Sequence, residues 1–173
     1  IRLSRYFPEG SFEIYINPVL GYYRKASARY GFALPLTHIR AIANHWCTAS
    51  RFGNKFHACQ FGCGHDTDQL AHTISCSKFW SLFFAITGVP HNDITLKDIL
   101  LFHGPTCSLG EEYVFYIMLG CHICFLCLNH CRYHGNLSKR IIVHHLHTFI
   151  NSHYKIRALL RSVRALSRSR IIA

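Results

Sequence analysis

Four residues in the middle of the chain have types and spacings suited to metal binding: Cys59, Cys63, His72 and Cys76. Three thiolates and one imidazole match tetrahedral zinc and leave no open coordination position, which indicates a structural site rather than a catalytic one. Gly62 and Gly64 permit the positive backbone angles that a tight metal loop needs. His72 and Cys76 are four residues apart, so the spacing predicts that they share one face of a helix. We therefore predict one closed zinc site.

Other interpretations of these residues stay open at this stage. Free cysteines are commonly buried, so the three thiols could be apolar core residues and His72 a core histidine. His65 follows Cys63 by two residues and is an alternative ligand to His72. Asp66 or Asp68 could accept the free ring N–H of His72, or could serve as a helix cap.

A second cysteine series occurs further along the chain, at Cys121, Cys124, Cys127 and Cys131. This spacing matches the cluster loop of bacterial ferredoxins, except that Arg132 stands where proline usually follows. A cluster loop needs an irregular backbone, whereas apolar residues between these cysteines continue a helical pattern. We therefore favour buried helix thiols, and keep an iron–sulfur cluster or a second zinc site with nearby histidines as alternatives.

Helices must position these residues, because the apolar periodicity is helical over most of the chain. We expect one helix after Thr37, ending near Gly53, and a second from about Asp68 to Gly88 that carries His72 and Cys76. Later helices are expected after a capping box at Thr95–Asp98, after an N-cap at Ser138, and over Ile156–Ser169. The predicted fold is mainly α, a small helical domain built around one CCHC zinc knuckle with C-terminal basic helices.

The chain divides into three regions by pattern. Residues 1–35 are rich in proline, glycine, aromatic and basic residues, which predicts an irregular lead-in. Residues 36–105 contain the first helix and the CCHC zinc-binding region. Residues 106–173 form a helical region with a basic tail, and within it Tyr113–Cys131 is apolar enough to be considered as a membrane span. Because this run contains His122, Asn129 and His130, we predict a buried core helix instead.

The charge distribution points to an anionic partner. Lys and Arg outnumber Asp and Glu by 19 to 8, and the net charge is +11. No acidic residue occurs from Ile14 to His65 or after Glu112. A field of this sign attracts phosphate backbones or anionic lipid. At helical spacing, basic side chains can follow a phosphate backbone, and the C-terminal candidates are Lys139, Arg140, Lys155, Arg157, Arg161, Arg164 and Arg168.

Several stretches around the four ligands carry a family resemblance: IRAIANHW at 39–46, RF at 51–52, DQLAH at 68–72 and FW at 79–80. Together they resemble the zinc-binding region that follows the polymerase in non-LTR (LINE-type) retrotransposon reverse transcriptases. The resemblance covers residues 36–85. Family members usually place four residues between the histidine and the last cysteine, whereas this chain places three.

The resemblance implies that this region holds template RNA or target DNA near a polymerase. It implies that role for four residues around the finger: Arg51, Lys55, Phe56 and Phe61. The chain lacks a Tyr-x-Asp-Asp polymerase motif, a glycine-rich phosphate loop and a nucleophile elbow. We therefore expect a non-catalytic segment, without a small-molecule substrate, of a parent polyprotein that would encode an RNA-directed DNA polymerase.

The cysteine content indicates a reducing compartment. Nine cysteines occur in a chain that begins at Ile1 without a recognisable secretory signal, which favours metal ligands or buried thiols over disulfides. We expect a fragment of a longer nuclear or cytoplasmic protein that binds RNA or DNA. The alternative is a membrane-associated or protein-interaction domain that uses Tyr113–Cys131 and the basic tail.

Overall fold

The computed structural model describes residues 12–43, 46, 48, 58–89, 94–102, 110–135 and 137–171, without the side chains of 12–17, 97, 101 and 168–171. No strand occurs in these ranges. The helices are α1 (Phe12–Tyr30), α2 (Ala33–Ile42), α3 (Leu70–Ile74), α4 (Ser77–Thr87), α5 (Leu96–Leu101), α6 (Glu111–His134), α7 (Lys139–Ser152) and α8 (Lys155–Ile171). The prediction of a small, mainly α domain is confirmed.

Helix α6 is the centre of the core. It contacts α1, α2, α4, α5, α7 and α8, and residues 113–121 are buried without interruption. It is the one helix in the described ranges that is long and apolar enough to cross a membrane, and 72% of its apolar window is buried inside the protein. The predicted core helix is thus a buried helix, and the described part of the domain is centred on α6 rather than on the predicted zinc knuckle.

Helix α1 corrects the expectation of an irregular lead-in over residues 12–30. Its buried side chains recur at helical spacing: Val19, Tyr23, Ala26 and Tyr30. Pro18 lies inside the helix, at the cost of one backbone hydrogen bond. Burial of the stripe outweighs the turn-forming composition that suggested irregular structure. Lys25 and Arg29 on α1 bind Glu111 in the first turn of α6 at 2.6 and 3.1 Å.

Helix α2 begins earlier and ends earlier than predicted. It starts at Ala33, so Thr37 is interior and its Oγ1 donates to the Ala33 carbonyl at 2.8 Å instead of capping the helix. Pro35 is tolerated in the first turn because the amides there have no partner in the helix. The helix ends at Ile42, and the expected end near Gly53 lies outside the described residues.

The predicted caps of two later helices are confirmed. Thr95 Oγ1 accepts from the Asp98 amide at 3.2 Å and the Asp98 carboxylate accepts from the Thr95 amide at 2.9 Å, which forms the capping box of α5. Ser138 Oγ accepts from the Ile141 amide at the start of α7. The last predicted helix corresponds to α8, whose apolar stripe is buried.

Candidate metal centre

The first two ligands lie on a short turn, residues 59–65, which we call the knuckle. Its ends are joined by a hydrogen bond from the Cys59 amide to the His65 carbonyl at 2.9 Å. A second bond, from the Gly62 amide to the Cys59 carbonyl at 2.8 Å, closes the inner turn. Gly62 and Gly64 have φ angles of 68° and 86°, which non-glycine residues rarely adopt. The predicted role of both glycines is confirmed.

The other two ligands lie on either side of a break between helices. His72 is on α3, whereas Cys76 is the N-cap of α4 and has non-helical angles of φ −58° and ψ 117°. The prediction of a single helix carrying both is therefore wrong. The Ile74 carbonyl, which would accept the Lys78 amide in a continuous helix, accepts the Trp80 indole N–H at 2.7 Å. Breaking the helix turns Cys76 toward the knuckle.

The structure brings all four predicted ligands together. Their ligand atoms all lie within 4.8 Å of one another. Cys59 Sγ and Cys76 Sγ are 3.9 Å apart, and Cys63 Sγ is 3.1 Å from His72 Nε2. Two thiolates bound tetrahedrally to one zinc at about 2.3 Å would lie about 3.8 Å apart. The cluster could therefore hold a metal ion after small adjustments, and three sulfurs with one nitrogen would complete its coordination.

Hydrogen bonding within the cluster favours a thiolate at one ligand. The hydrogen bond from the Cys76 thiol lowers the pKa of Cys59 to about 4, although burial opposes this shift. The same bond, together with burial, raises the pKa of Cys76. Because metal ligation requires deprotonated thiols, a bound cation would take the place of the shared proton.

One aromatic contact and one lysine of α4 support the knuckle. Phe61 is fully buried, and its ring stacks on Phe79 with centroids 5.8 Å apart. The Lys78 ammonium donates to the Gly62 carbonyl at 3.0 Å. The spacing of ligands gave no indication of the Lys78 contact, because it depends on how α4 lies against the turn. These contacts hold the knuckle against the core.

The neighbouring histidine and acids take other positions. His65 is exposed and stacks on His72 with centroids 3.8 Å apart, but its Nδ1 accepts from the Thr67 amide at 3.3 Å. Its side chain is not part of the four-residue cluster. Asp68 is buried and accepts from Thr73 Oγ1 at 3.0 Å. The structure therefore selects His72 over His65, and a role for Asp66 or Asp68 toward His72 stays a prediction.

The cysteines of α6 are buried thiols. Burial raises the pKa of each: Cys121, Cys124, Cys127 and Cys131. Within the part of the chain that the structure describes, they join no cluster of metal-binding side chains. Cys124 Sγ donates to the Thr73 carbonyl at 3.6 Å, so this thiol links the core helix to α3. Cys47 and Cys107 lie outside the described residues.

Four residues near the finger were assigned to nucleic-acid binding by the resemblance, and the structure describes one of them, Phe61. Arg51, Lys55 and Phe56 lie outside the described residues. Phe61 cannot stack on a base, because its ring is enclosed in the core against Phe79. The role that the resemblance implies for Phe61 is therefore wrong, because the ring has no exposed surface.

The C-terminal basic residues divide into exposed and engaged groups. The exposed ones are Lys139, Arg140, Lys155, Arg157 and Arg161. Arg164 is partly buried, and its Nε donates to the Thr87 carbonyl at the end of α4. This guanidinium therefore contacts the end of α4, and its predicted contact with nucleic acid stays a prediction. Arg168 is on α8, and its side chain lies outside the described residues.

Comparisons of the chain with protein-family models, curated proteins and solved structures give no match. The family resemblance of residues 36–85 stays a prediction.

Proposed function

We propose that this chain is a non-catalytic, zinc-stabilised domain that binds nucleic acid through the basic surface of α7 and α8. By its resemblance, it would serve as the template-RNA or target-DNA holding segment of a retrotransposon-type reverse transcriptase. The observation that carries the proposal is that the residues able to hold a metal lie outside α7 and α8, while these two helices carry exposed cations and no acidic residue. The metal would stabilise the fold, and the cations would make the contact.

Zinc is the proposed metal because of the chemistry of the ligands. Thiolates and imidazole suit zinc, whereas magnesium and calcium prefer oxygen. Within the knuckle only Cys59 and Phe61 are buried, so metal binding would contribute folding free energy there. Metal analysis of the purified chain should give close to one zinc per chain.

The charge pattern supports nucleic acid over a general solubilising role. The ion pairs between described residues join α1 to the start of α6, at Glu111 and Glu112. No acidic residue follows Glu112, so α7 and α8 carry no acid to neutralise their cations. Arg157 and Arg161 are exposed and one helical turn apart, which suits two successive phosphate contacts.

The salt dependence of binding tests this proposal. Affinity for labelled RNA and DNA, measured by fluorescence anisotropy, should fall steeply as salt rises from about 50 to 200 mM. Arg157→Gln with Arg161→Gln should weaken binding and reduce the salt slope by about 1 to 2. Arg40→Gln removes one charge from an exposed position of α2 and is the matched control for Arg157→Gln alone. A flat salt response, or equal losses in Arg40→Gln and Arg157→Gln, would contradict the proposal.

Membrane association is a second candidate, favoured by the length and hydropathy of α6. Insertion would require α6 to leave a core in which its neighbours already bury most of its surface. Flotation with neutral phosphatidylcholine liposomes discriminates the candidates: insertion of α6 needs no anionic lipid, whereas the nucleic-acid proposal expects the zinc-loaded chain to stay unbound to a neutral vesicle.

A further inference from the structure

The most exposed large apolar side chains are aromatic. Within the described part of the chain, Tyr133 is 82% exposed, and Phe32 and Tyr154 are each 77% exposed. The next such residue, Leu20, is 48% exposed. Rings left this open contribute little to the core, and exposed aromatic residues next to cations often mark binding surfaces.

All three rings are at the ends of α7. Tyr133 is the second-last residue of α6, just before α7 begins, and Tyr154 lies in the turn between α7 and α8. Phe32 belongs to the same end as Tyr154, because a Cβ on Gly31 would lie 3.6 Å from the His153 ring. Since α7 has 14 residues, it separates the two ends by about 21 Å.

A polar and basic face of α7 lies between the rings. Its exposed residues recur at helical spacing: Arg140, His144, His147 and Asn151. The Arg157 guanidinium donates to Asn151 Oδ1 at 3.4 Å, which joins the start of α8 to this face. The Lys155 ammonium lies 6.0 Å from the Tyr154 ring centroid. Three cations, Arg140, Lys155 and Arg157, therefore lie on α7 or at the start of α8, and the exposed rings lie at the two ends of α7.

We infer that this surface binds single-stranded nucleic acid, with unpaired bases stacked on Tyr133, Tyr154 and Phe32 and phosphates along α7. The inference rests on the proposed function and names its substrate class. Single strands offer base faces for stacking, whereas bases inside a duplex already stack on one another. Base–aromatic stacking tolerates any sequence, which suits a surface that carries rings rather than a set of base-edge contacts.

Ring removal tests the inference on the zinc-loaded chain. The probes are labelled oligo-dT and oligo-rU, which distinguish DNA from RNA strands, and a hairpin duplex of similar charge. Tyr133→Leu, Tyr154→Leu and Phe32→Leu should each lower single-strand affinity by about 5-fold to 100-fold, with duplex affinity and the salt slope unchanged. Tyr133→Phe and Tyr154→Phe keep the ring and should retain affinity within about twofold. Circular dichroism and zinc content should match wild type, because these side chains are exposed.

The outcomes separate this inference from the proposed function. If the leucine variants bind single strands as wild type does, or lose single-strand and duplex affinity equally, stacking is overturned while salt-dependent binding stands. If the wild-type chain binds none of the probes in a salt-dependent manner, the proposed function is overturned and the inference with it.

Discussion

The backbone of Gly120 on α6 lies directly against the indole ring of Trp80 on α4, and no side chain would fit between them. A Cβ at position 120 would collide with Trp80 Cη2 and Cζ3 and lie 3.3 Å from Phe83 Cε1. Both rings are buried. The same indole donates to the Ile74 carbonyl beside the metal cluster, so this contact sets the position of α3 and α4 on the core.

Gly120→Ala should therefore destabilise the domain. Overpacking a well-filled core costs about 1–3 kcal/mol, and urea denaturation of the zinc-loaded chain would measure it. Gly21→Ala is the matched control, because Gly21 is within α1 and a Cβ there meets no atom within 4 Å. Because glycine loses more conformational entropy than alanine inside a helix, Gly21→Ala should stabilise the domain by about 0.5–1 kcal/mol. Equal effects of the two substitutions would show that the Trp80 contact is not close.

Zinc content should depend on the four clustered residues. Cys63→Ser and His72→Gln each remove a ligand, so bound zinc should fall well below one per chain and α3 should lose helicity. His65→Gln and Cys131→Ala are controls that should keep the metal, since neither residue belongs to the cluster. Elemental analysis with circular dichroism gives both readouts. Loss of zinc from His65→Gln but not from His72→Gln would reverse the ligand assignment.

Acid should destabilise the fold through His38. This ring accepts from the Tyr23 hydroxyl at Nδ1 and donates from Nε2 to the Ile99 carbonyl, each at 2.6 Å. Both contacts suit the neutral ring, and burial lowers the pKa of His38 to about 4. Between about pH 6.5 and 4 the unfolded chain binds a proton that the folded chain does not, so stability falls as the pH falls. The expected loss from about pH 7.5 to 5 is about 2 kcal/mol.

His38→Gln isolates this contribution because glutamine does not titrate. The variant will have its own fixed cost, which cancels when the stability of each protein is compared at the two pH values. Burial also lowers the pKa of His122 to about 4, so part of the acid sensitivity should persist in the variant. If the wild type and His38→Gln lose the same free energy of unfolding, His38 does not carry the effect.

The two caps should differ in strength. Thr95→Ala removes one side of a reciprocal capping box and a 2.6 Å hydrogen bond to the Asp98 carboxylate, which is buried. We expect a loss of about 1–2 kcal/mol. Ser138→Ala removes a single 3.4 Å bond at an exposed position and should cost about 0.5 kcal/mol. Thermal or urea unfolding measures both, and a larger loss for Ser138→Ala would contradict this ranking.

The sequence by itself determined features that depend on local chemistry. The four ligands followed from residue type and spacing, and the glycines of the knuckle followed from the backbone angles that a tight turn demands. The caps at Thr95 and Ser138 were also predictable, because a helix end satisfies its free amides with residues next to it in the chain. The apolar stripes of α7 and α8 were predictable from the helical spacing of their apolar residues.

Only the tertiary structure decided where local preference is overridden. Residues 12–30 are helical despite Pro18, because burial of apolar side chains against α6 and its neighbours stabilises the helical conformation. The helix predicted through His72 and Cys76 breaks, because the Trp80 indole takes the Ile74 carbonyl. The Phe61 ring is buried against Phe79, and Arg164 donates to the Thr87 carbonyl; both partners are on α4. Each outcome depends on a contact between separate elements, and sequence periodicity records which side chains are apolar but not which element will cover them.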